Sequence, residues 1–163
     1  MIPPKKNNDE YKLGIISDTH GLLRPDALKA FKDVDMIIHA GDFDTQDIYE
    51  ALLRIAPVAA VRGNMDFGDL KQKLPATEVV EIGEVSLYVL HDLGRLDLDP
   101  VSAGFSAVIY GHYHRQALDE KSGVLYLNPG SAGPRRSMRP ATVAILHIKG
   151  KILDASFVKL KDE

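Results

Sequence analysis

Apolar residues in the first half of the chain gather in short runs that break off at polar ones. KLGIIS (12–17) is one such run, too short for a buried helix and bounded by a turn, and it reads as a buried strand. Asp18 to Gly21 form that turn, and Pro25 stands near the first position of a helix expected through Phe31, where its missing N–H costs little. DMIIHAGD (35–42) reads as a second buried strand and PVAAVRGN (57–64) as a third. Between them TQDIYEALLRI (45–55) predicts an amphipathic helix capped by Thr45, with Ile48, Leu52 and Ile55 on one face. This strand–helix alternation predicts parallel strands joined by right-handed crossovers.

The second half has a different rhythm. EVVEIGEVSLYVLHD (78–92) predicts a hairpin around Gly83, while residues 93–105, punctuated by Asp, Gly and Pro, leave room for a short helix at most. SAVIYGHYH (106–114) and VLYLNPGS (124–131) read as further strands running into polar loops. ATVAILHIK (141–149) and ILDASFVKL (152–160) are strand-like and turn at Gly150. With no repeat, low-complexity tract or linker, the expectation is a flexible polar leader at 1–10 and a single α/β domain over 11–163. Its sheet would be large and mixed, or folded as two packed sheets.

Composition narrows the choices. The 163 residues suffice for one domain with a core, and 45% hydrophobic against 26% charged residues is a globular balance. The net charge of −3, with both signs interspersed, shows no basic excess and argues against a nucleic-acid polymer as partner. Cysteine is absent, which removes disulfides, thiolate metal sites and thiol nucleophiles and leaves oxygen and imidazole as the available ligands. The N-terminus lacks the apolar stretch of a signal peptide, and no apolar run approaches membrane-spanning length. A soluble cytoplasmic protein without a membrane partner is therefore expected.

Candidate chemistry lies where the apolar runs end. Asp18 and His20 follow the first strand, Asp42 the second and Asn64 the third; His91 follows the hairpin, and His112 and His114 the next strand. The carboxyl ends of parallel strands share one sheet edge, where ligands bind, so these groups are expected in one pocket. Imidazole nitrogen and carboxylate oxygen suit divalent ions, and two ions about 3.5–4 Å apart polarise a phosphoryl oxygen and acidify water. Asp18/His20 and His112/His114 are each spaced two apart, which in extended backbone puts both side chains on one face. Taken singly, an Asp before a turn is more often a cap, and a strand-end His more often a surface residue. The ordered set reverses that preference.

D-T-H-G (18–21), G-D-F-D (41–44), G-N-M-D (63–66), His91 and G-H-Y-H (111–114) resemble, in order, the motifs of the calcineurin-like metallophosphoesterase superfamily. The following N-P-G-S (128–131) is similar to its small single-domain bacterial and archaeal phosphodiesterase branch. The resemblance implies a four-layer α/β/β/α sandwich of two mixed sheets flanked by helices. It implies that Asp18, His20 and His114 hold a first metal, that Asn64, His91 and His112 hold a second, and that Asp42 bridges them. A hydroxide opposite Asp42 would be the nucleophile, with Asn64 and His112 completing the catalytic set. Manganese is the ion the resemblance implies, with nickel, iron and zinc open because N/O sites discriminate poorly. The substrate implied is a small phosphodiester, with a homo-oligomer left open.

Two positions depart from the family pattern. Met65 stands where many relatives carry the histidine that protonates the leaving group, so metal activation alone, a water or another side chain must serve. Asp92 and Leu93 precede Gly94 where close relatives have Gly directly after the histidine. Asp66 keeps the family acid but has no histidine to orient. Arg62 and Arg135 are candidate phosphate contacts, although the Arg135, Arg136 and Arg139 cluster also reads as a solvated loop. His39 and His147 read as structural, Asp44 and Asp47 as helix-entry residues, and Asn128, Gly130 and Ser131 as loop-shaping residues. The rival to a phosphodiesterase is a non-catalytic metal-binding scaffold of the same fold, since fold alone does not fix function.

Overall fold

The computed structural model describes residues 9–135 and 138–161, so most of the expected leader, and Arg136, lie outside the described residues. Strand β1 (Glu10–Ile16) opens the fold, followed by α1 (Pro25–Ala30), β2 (Met36–His39), α2 (Gln46–Leu53) and β3 (Val58–Ala60). β1 pairs in parallel with β2, and β2 with β3, as the alternation of apolar runs and helices predicts. β9 (Ala141–Lys149) and β10 (Ile152–Leu160) return antiparallel and complete one sheet in the order β10-β9-β1-β2-β3.

A second sheet is built from β4 (Thr77–Ile82), β5 (Val85–Leu90), β6 (Ala107–Ile109), β7 (Ala117–Lys121) and β8 (Val124–Asn128), ordered β4-β5-β6-β8-β7. Its inner strands β5, β6 and β8 are parallel and its outer pairs antiparallel, so both sheets are mixed. Alternation along the strands sorts residues between layers. Leu13, Ile15, Met36 and Ile38 face Val80, Leu87, Ile109 and Leu127 across the sandwich. Ile16, Ile37 and Val58 point the other way and pack on Ala27 and Phe31 of the α1 region and on Ile48 and Leu52 of α2.

The fourth layer is thin. Over the outer face of the second sheet lie only a 3-10 turn (Leu93–Arg95) and the one-turn helix α4 (Pro100–Ala103), whose neighbours Leu96, Leu98 and Phe105 cover Tyr88, Val108 and Tyr110. Two elements were not legible beforehand. α3 (Gly68–Lys73) buries only Leu70, and β7 is almost entirely exposed, so neither carries a clear apolar period. Thr45 occupies the N-cap of α2 but makes no side-chain cap bond. No helix among the described residues is long and apolar enough to cross a membrane.

This topology fixes the site. The carboxyl ends of β1, β2 and β3 in one sheet and of β5, β6 and β8 in the other release their loops along edges that meet. Those loops are stitched together by main-chain bonds: Asp18 N–H to Gly41 O (3.0 Å), His20 N–H to Asp42 O (3.1 Å), Gly111 N–H to His91 O (3.0 Å) and Ala132 N–H to Ser17 O (3.0 Å).

Candidate metal centre

The residues at the ends of the apolar runs sit on short loops rather than in extended strand, because β1, β2 and β6 stop before them. Asp18 (φ 54°), His20 (φ 45°), Asp42 (φ 65°), Asp44 (φ 69°), His112 (φ 73°) and His114 (φ 57°) all adopt the left-handed region. The i, i+2 spacing therefore does not work through strand alternation, as the sequence reading supposed. It works through paired left-handed residues, a costly backbone that persists where the surroundings over-determine it. Close approach adds a further constraint: a Cβ at Gly63 would fall onto Asp42 Oδ1, and one at Gly111 onto Ser17 Oγ.

The donor atoms converge. Asp18 Oδ1 lies 3.8 Å from His20 Nε2, 3.5 Å from His114 Nε2 and 3.9 Å from His91 Nε2, and the two imidazole nitrogens of His20 and His114 are 3.3 Å apart. Asp42 Oδ2 is 3.7 Å from His20 Nε2 and 3.2 Å from His91 Nε2, so it reaches one histidine of each implied set. Asp18, His20 and His114 form one group with ligand spacing and Asp18, Asp42 and His91 another, with Asp18 common to both. Asn64 Oδ1 stands 3.0 Å from His91 Nε2 and 3.3 Å from His112 Nδ1. His112 is joined to the rest through Asn64 and through its main-chain N–H, which donates to Asp18 Oδ2 (3.0 Å).

These contacts fit a cation better than they fit one another. His91 Nδ1 donates to Ala40 O at 2.7 Å, which turns Nε2 toward the oxygens of Asp42, Asn64 and Asp18. A neutral imidazole in that tautomer would aim a lone pair at acceptors, so a proton or a metal ion belongs between them. Asp18 Oδ1 is buried and accepts no hydrogen bond among the described residues. His20 follows the same logic, its Nδ1 donating to Asp44 Oδ2 at 3.2 Å so that Nε2 faces the cluster. A carboxylate behind a histidine is the usual outer support of a metal ligand.

The titration behaviour reflects this crowding. Burial lifts the Asp18 carboxyl above its ordinary value, against the pull of His91 and of the Ser17 hydroxyl. Burial pushes Asp42 the same way but is outweighed by the His91 contact and the Met65 N–H, and Asp42 ends below its ordinary value. Burial opposes charge on His91, yet the Asp42 contact and the Asp18 charge hold it above the usual histidine range.

Asp44 and Asp66 do more than the sequence reading assigned. Asp44 backs His20 instead of entering a helix. Asp66, 4% exposed, accepts four main-chain N–H groups: Phe43 (2.9 Å) and Asp44 (3.1 Å) on Oδ1, Asp42 (3.0 Å) and Gly63 (2.9 Å) on Oδ2. It clamps the loops after β2 and β3 against each other. The fourth position of G-N-M-D was the available signal, but a carboxylate serving backbone leaves no side-chain partner to search for.

The remaining candidates fall beside the cluster. Arg62 lines a groove of about 490 Å³ with Asn64, His91, Asp92, Arg95 and His112, while its Nη1 donates to Leu74 O at 3.0 Å. Arg135 turns its guanidinium to the carbonyls of Arg139 (3.1 Å) and Met138 (3.5 Å) and does not line that groove. Asp92 accepts from the Tyr113 hydroxyl (2.5 Å) and Gly94 N–H (2.9 Å), with Oδ2 4.0 Å from His112 Nε2. Asn128 and Ser131 shape the neighbouring loop through Gly111 O (3.0 Å) and Asp18 O (3.1 Å). His39 is fully buried between Thr19 (3.1 Å) and Gly41 N–H (3.0 Å) and stacks on Phe43, while His147 is exposed on β9.

Comparison with known proteins agrees with this geometry. The profile of the calcineurin-like phosphoesterase superfamily domain matches residues 11–151. A protein of Methanothermobacter thermautotrophicus named "Probable metallophosphoesterase" is 35% identical over 161 residues, covering 90% of this chain and 91% of its own. A phosphodiesterase of Methanocaldococcus jannaschii is 30% identical over 138 residues, covering 73% of this chain and 82% of its own. Vacuolar protein sorting 29 of Cryptosporidium parvum shares the fold, with a TM-score of 0.75 at 19% identity over 94% of this chain and 99% of that one.

Two outcomes are expected of the frame around the donors. Asp66→Asn replaces an acceptor of four N–H groups with an amide that presents its own donors, and should cost about 1.5–3 kcal/mol in urea denaturation; wild-type stability would show that the clamp is dispensable. Burial, reinforced by charge on His91, drives the His39 imidazole well below its ordinary value. The stability it contributes is complete above the unfolded value of about 6.5 and is lost as pH falls through that value toward the depressed folded one. Denaturation midpoints of the wild type should therefore drop more steeply than those of His39→Gln between about pH 7 and 5. Parallel profiles would exclude His39 as the source.

Proposed function

The chain belongs to the calcineurin-like phosphoesterase superfamily, and from that premise we propose that it hydrolyses phosphodiester bonds of small substrates using two divalent cations. The observation that carries this reading is Asp42 Oδ2, within 3.7 Å of His20 Nε2 and 3.2 Å of His91 Nε2. In the proposed assignment Asp18, His20 and His114 would hold one cation, Asn64, His91 and His112 the other, and Asp42 would serve both. Cations held there would polarise a phosphoryl oxygen and supply an acidified water as nucleophile. Manganese is the first choice, with nickel, iron and zinc acceptable to the same donor set.

The protein's own groups do the positioning. Met65 N–H holds Asp42 Oδ1 at 2.7 Å and so leaves Oδ2 to the histidines. Ala40 O and Asp44 fix the faces of His91 and His20. Exposed Asn64 and half-buried His112 stand on the open side, on the wall of the groove that also carries Arg62 and Arg95. A space of about 490 Å³ suits a small ester, and Arg62 and Arg95 supply positive charge on its rim. Met65, next to Asn64 in the chain, is 50% exposed and has no proton to give a leaving group. Substrates whose leaving group departs as a stable anion are thereby favoured over alkyl esters.

With Mn²⁺, the protein should hydrolyse bis(p-nitrophenyl) phosphate, and chelator should abolish the turnover. Asp42→Asn should lower it by more than the about 10–100-fold typical of residues behind a metal ligand. Turnover that is absent, or that survives chelation, would favour the scaffold reading instead. Met65→His should raise turnover of alkyl diesters selectively, approaching the about 10²–10⁴-fold that a general acid contributes. An unchanged alkyl-to-aryl ratio at verified metal content would remove position 65 from the explanation.

A further inference from the structure

A second groove, of about 580 Å³, opens on the His114 side of the donor cluster. His114, Arg115, Gln116, Arg139, Thr142 and Lys159 line it, and among the described residues no carboxylate does. Arg115, Arg139 and Lys159 make no ion pair among the described residues. In a chain of net charge −3, three uncompensated cations around one groove repel one another, and a bound anion relieves that repulsion. The groove on the other side differs, since Asp92 and Asp97 there offset Arg62 and Arg95.

The groove is built into the same frame as the cluster. Lys159 on β10 faces Thr142 across the β9 pairing. The Thr142 hydroxyl donates to Pro129 O at 2.7 Å and its N–H to Ser131 O at 3.0 Å, while the Ser131 hydroxyl reaches Asp18 O at 3.1 Å. Arg115 follows His114 directly in the chain. Arg135 Nε holds Arg139 O at 3.1 Å and so braces the loop that carries the third cation. The backbone positions that carry the three cations therefore keep a fixed relation to Asp18 and His114.

We propose that this groove is a subsite for a second phosphate of the substrate. The scissile diester lies over the clustered donors, and a phosphomonoester elsewhere in the same molecule is held by Arg115, Arg139 and Lys159. The guanidinium fork matches phosphate oxygens bidentately, and the lysine adds a point charge. The substrate class is a small phosphodiester carrying a further terminal phosphate, as in a nucleotide phosphorylated at two positions. This inference rests on the phosphodiesterase reading above.

The test compares thymidine 5′-(p-nitrophenyl phosphate) with the same ester bearing a 3′-phosphate, in the Mn²⁺-loaded wild type and in an Arg115→Gln, Lys159→Gln double variant. The 3′-phosphorylated ester should have the higher kcat/KM in the wild type, and the double variant should lose about tenfold of it through KM. The plain ester should be unaffected, and Lys159→Glu should act in the same direction as the double variant. Equal kcat/KM for the two esters, or an unaltered preference in the variants, overturns the subsite and leaves the phosphodiesterase reading intact. Calorimetric titration of the full chain with thymidine 3′,5′-bisphosphate in chelator separates the two ideas. Tighter binding to the wild type than to the double variant supports the subsite even if neither ester is hydrolysed, an outcome that would sink the phosphodiesterase reading alone. Equal binding counts against the subsite.

Discussion

Electron-pair donors crowd together at the meeting edge of the two sheets with too few protons to share. Asp18 Oδ1, Asp42 Oδ2, Asn64 Oδ1 and the Nε2 atoms of His20, His91 and His114 make mutual approaches of 3.0 to 3.9 Å. Buried carboxylates and imidazole lone pairs at such separations repel unless positive charge lies among them. Burial is the largest influence on all three groups: it lifts Asp18, is outweighed at Asp42 by the His91 contact and the Met65 N–H, and is outweighed at His91 by the Asp42 contact and the Asp18 charge. A pocket of this kind is unfavourable by itself. The two-layer core is what keeps it closed.

The frame accepts the strain because each loop is tied to another. Left-handed backbone at Asp18, His20, Asp42, Asp44, His112 and His114 would relax if the loops were free. The Asp66 carboxylate gathers the loops after β2 and β3, and the main-chain bonds of Asp18, His20 and Gly21 to Gly41, Asp42 and Phe43 gather those after β1 and β2. His39, neutral and stacked on Phe43, fills the space beneath. The donor cluster and the frame around it are thus served by different residues of the same motifs: Asp42 faces the cluster while Asp66 faces the backbone.

Much of this was legible from apolar runs and their polar ends. The strands from Leu13 to Ile38 announce themselves because both faces are buried and the runs are continuous. The site follows because parallel strands send their carboxyl ends to one edge, which places Asp18, Asp42, Asn64 and His91 together before any contact is known. What stayed hidden has a physical reason in each case. β7 and α3 bury almost nothing, so no periodicity marks them. Asp44 looks like a helix-entry acid because its partner, His20, is distant in sequence. The left-handed pairs mimic strand spacing, since i, i+2 side chains converge in either backbone, and only φ separates the two explanations.

The two sides of the centre are chemically unlike, and that asymmetry bears on what the protein accepts. Beside His112, Asp92 is engaged by the Tyr113 hydroxyl at 2.5 Å and by Gly94 N–H at 2.9 Å, which holds a carboxylate 4.0 Å from His112 Nε2. The Tyr113 hydrogen bond is the main reason Asp92 sits below its ordinary value, against the opposing effect of burial. Beside His114 the groove carries Arg115, Arg139 and Lys159, with no carboxylate among the described residues that line it. The exposed thioether of Met65 and the ring of Phe67, 72% exposed, offer surface without labile protons or charge. On the proposed reading, an ester carrying a second phosphate would meet repulsion at Asp92 and attraction at Arg115 and Lys159. An ester with its charge concentrated at one end therefore has one favourable orientation on this surface and one unfavourable.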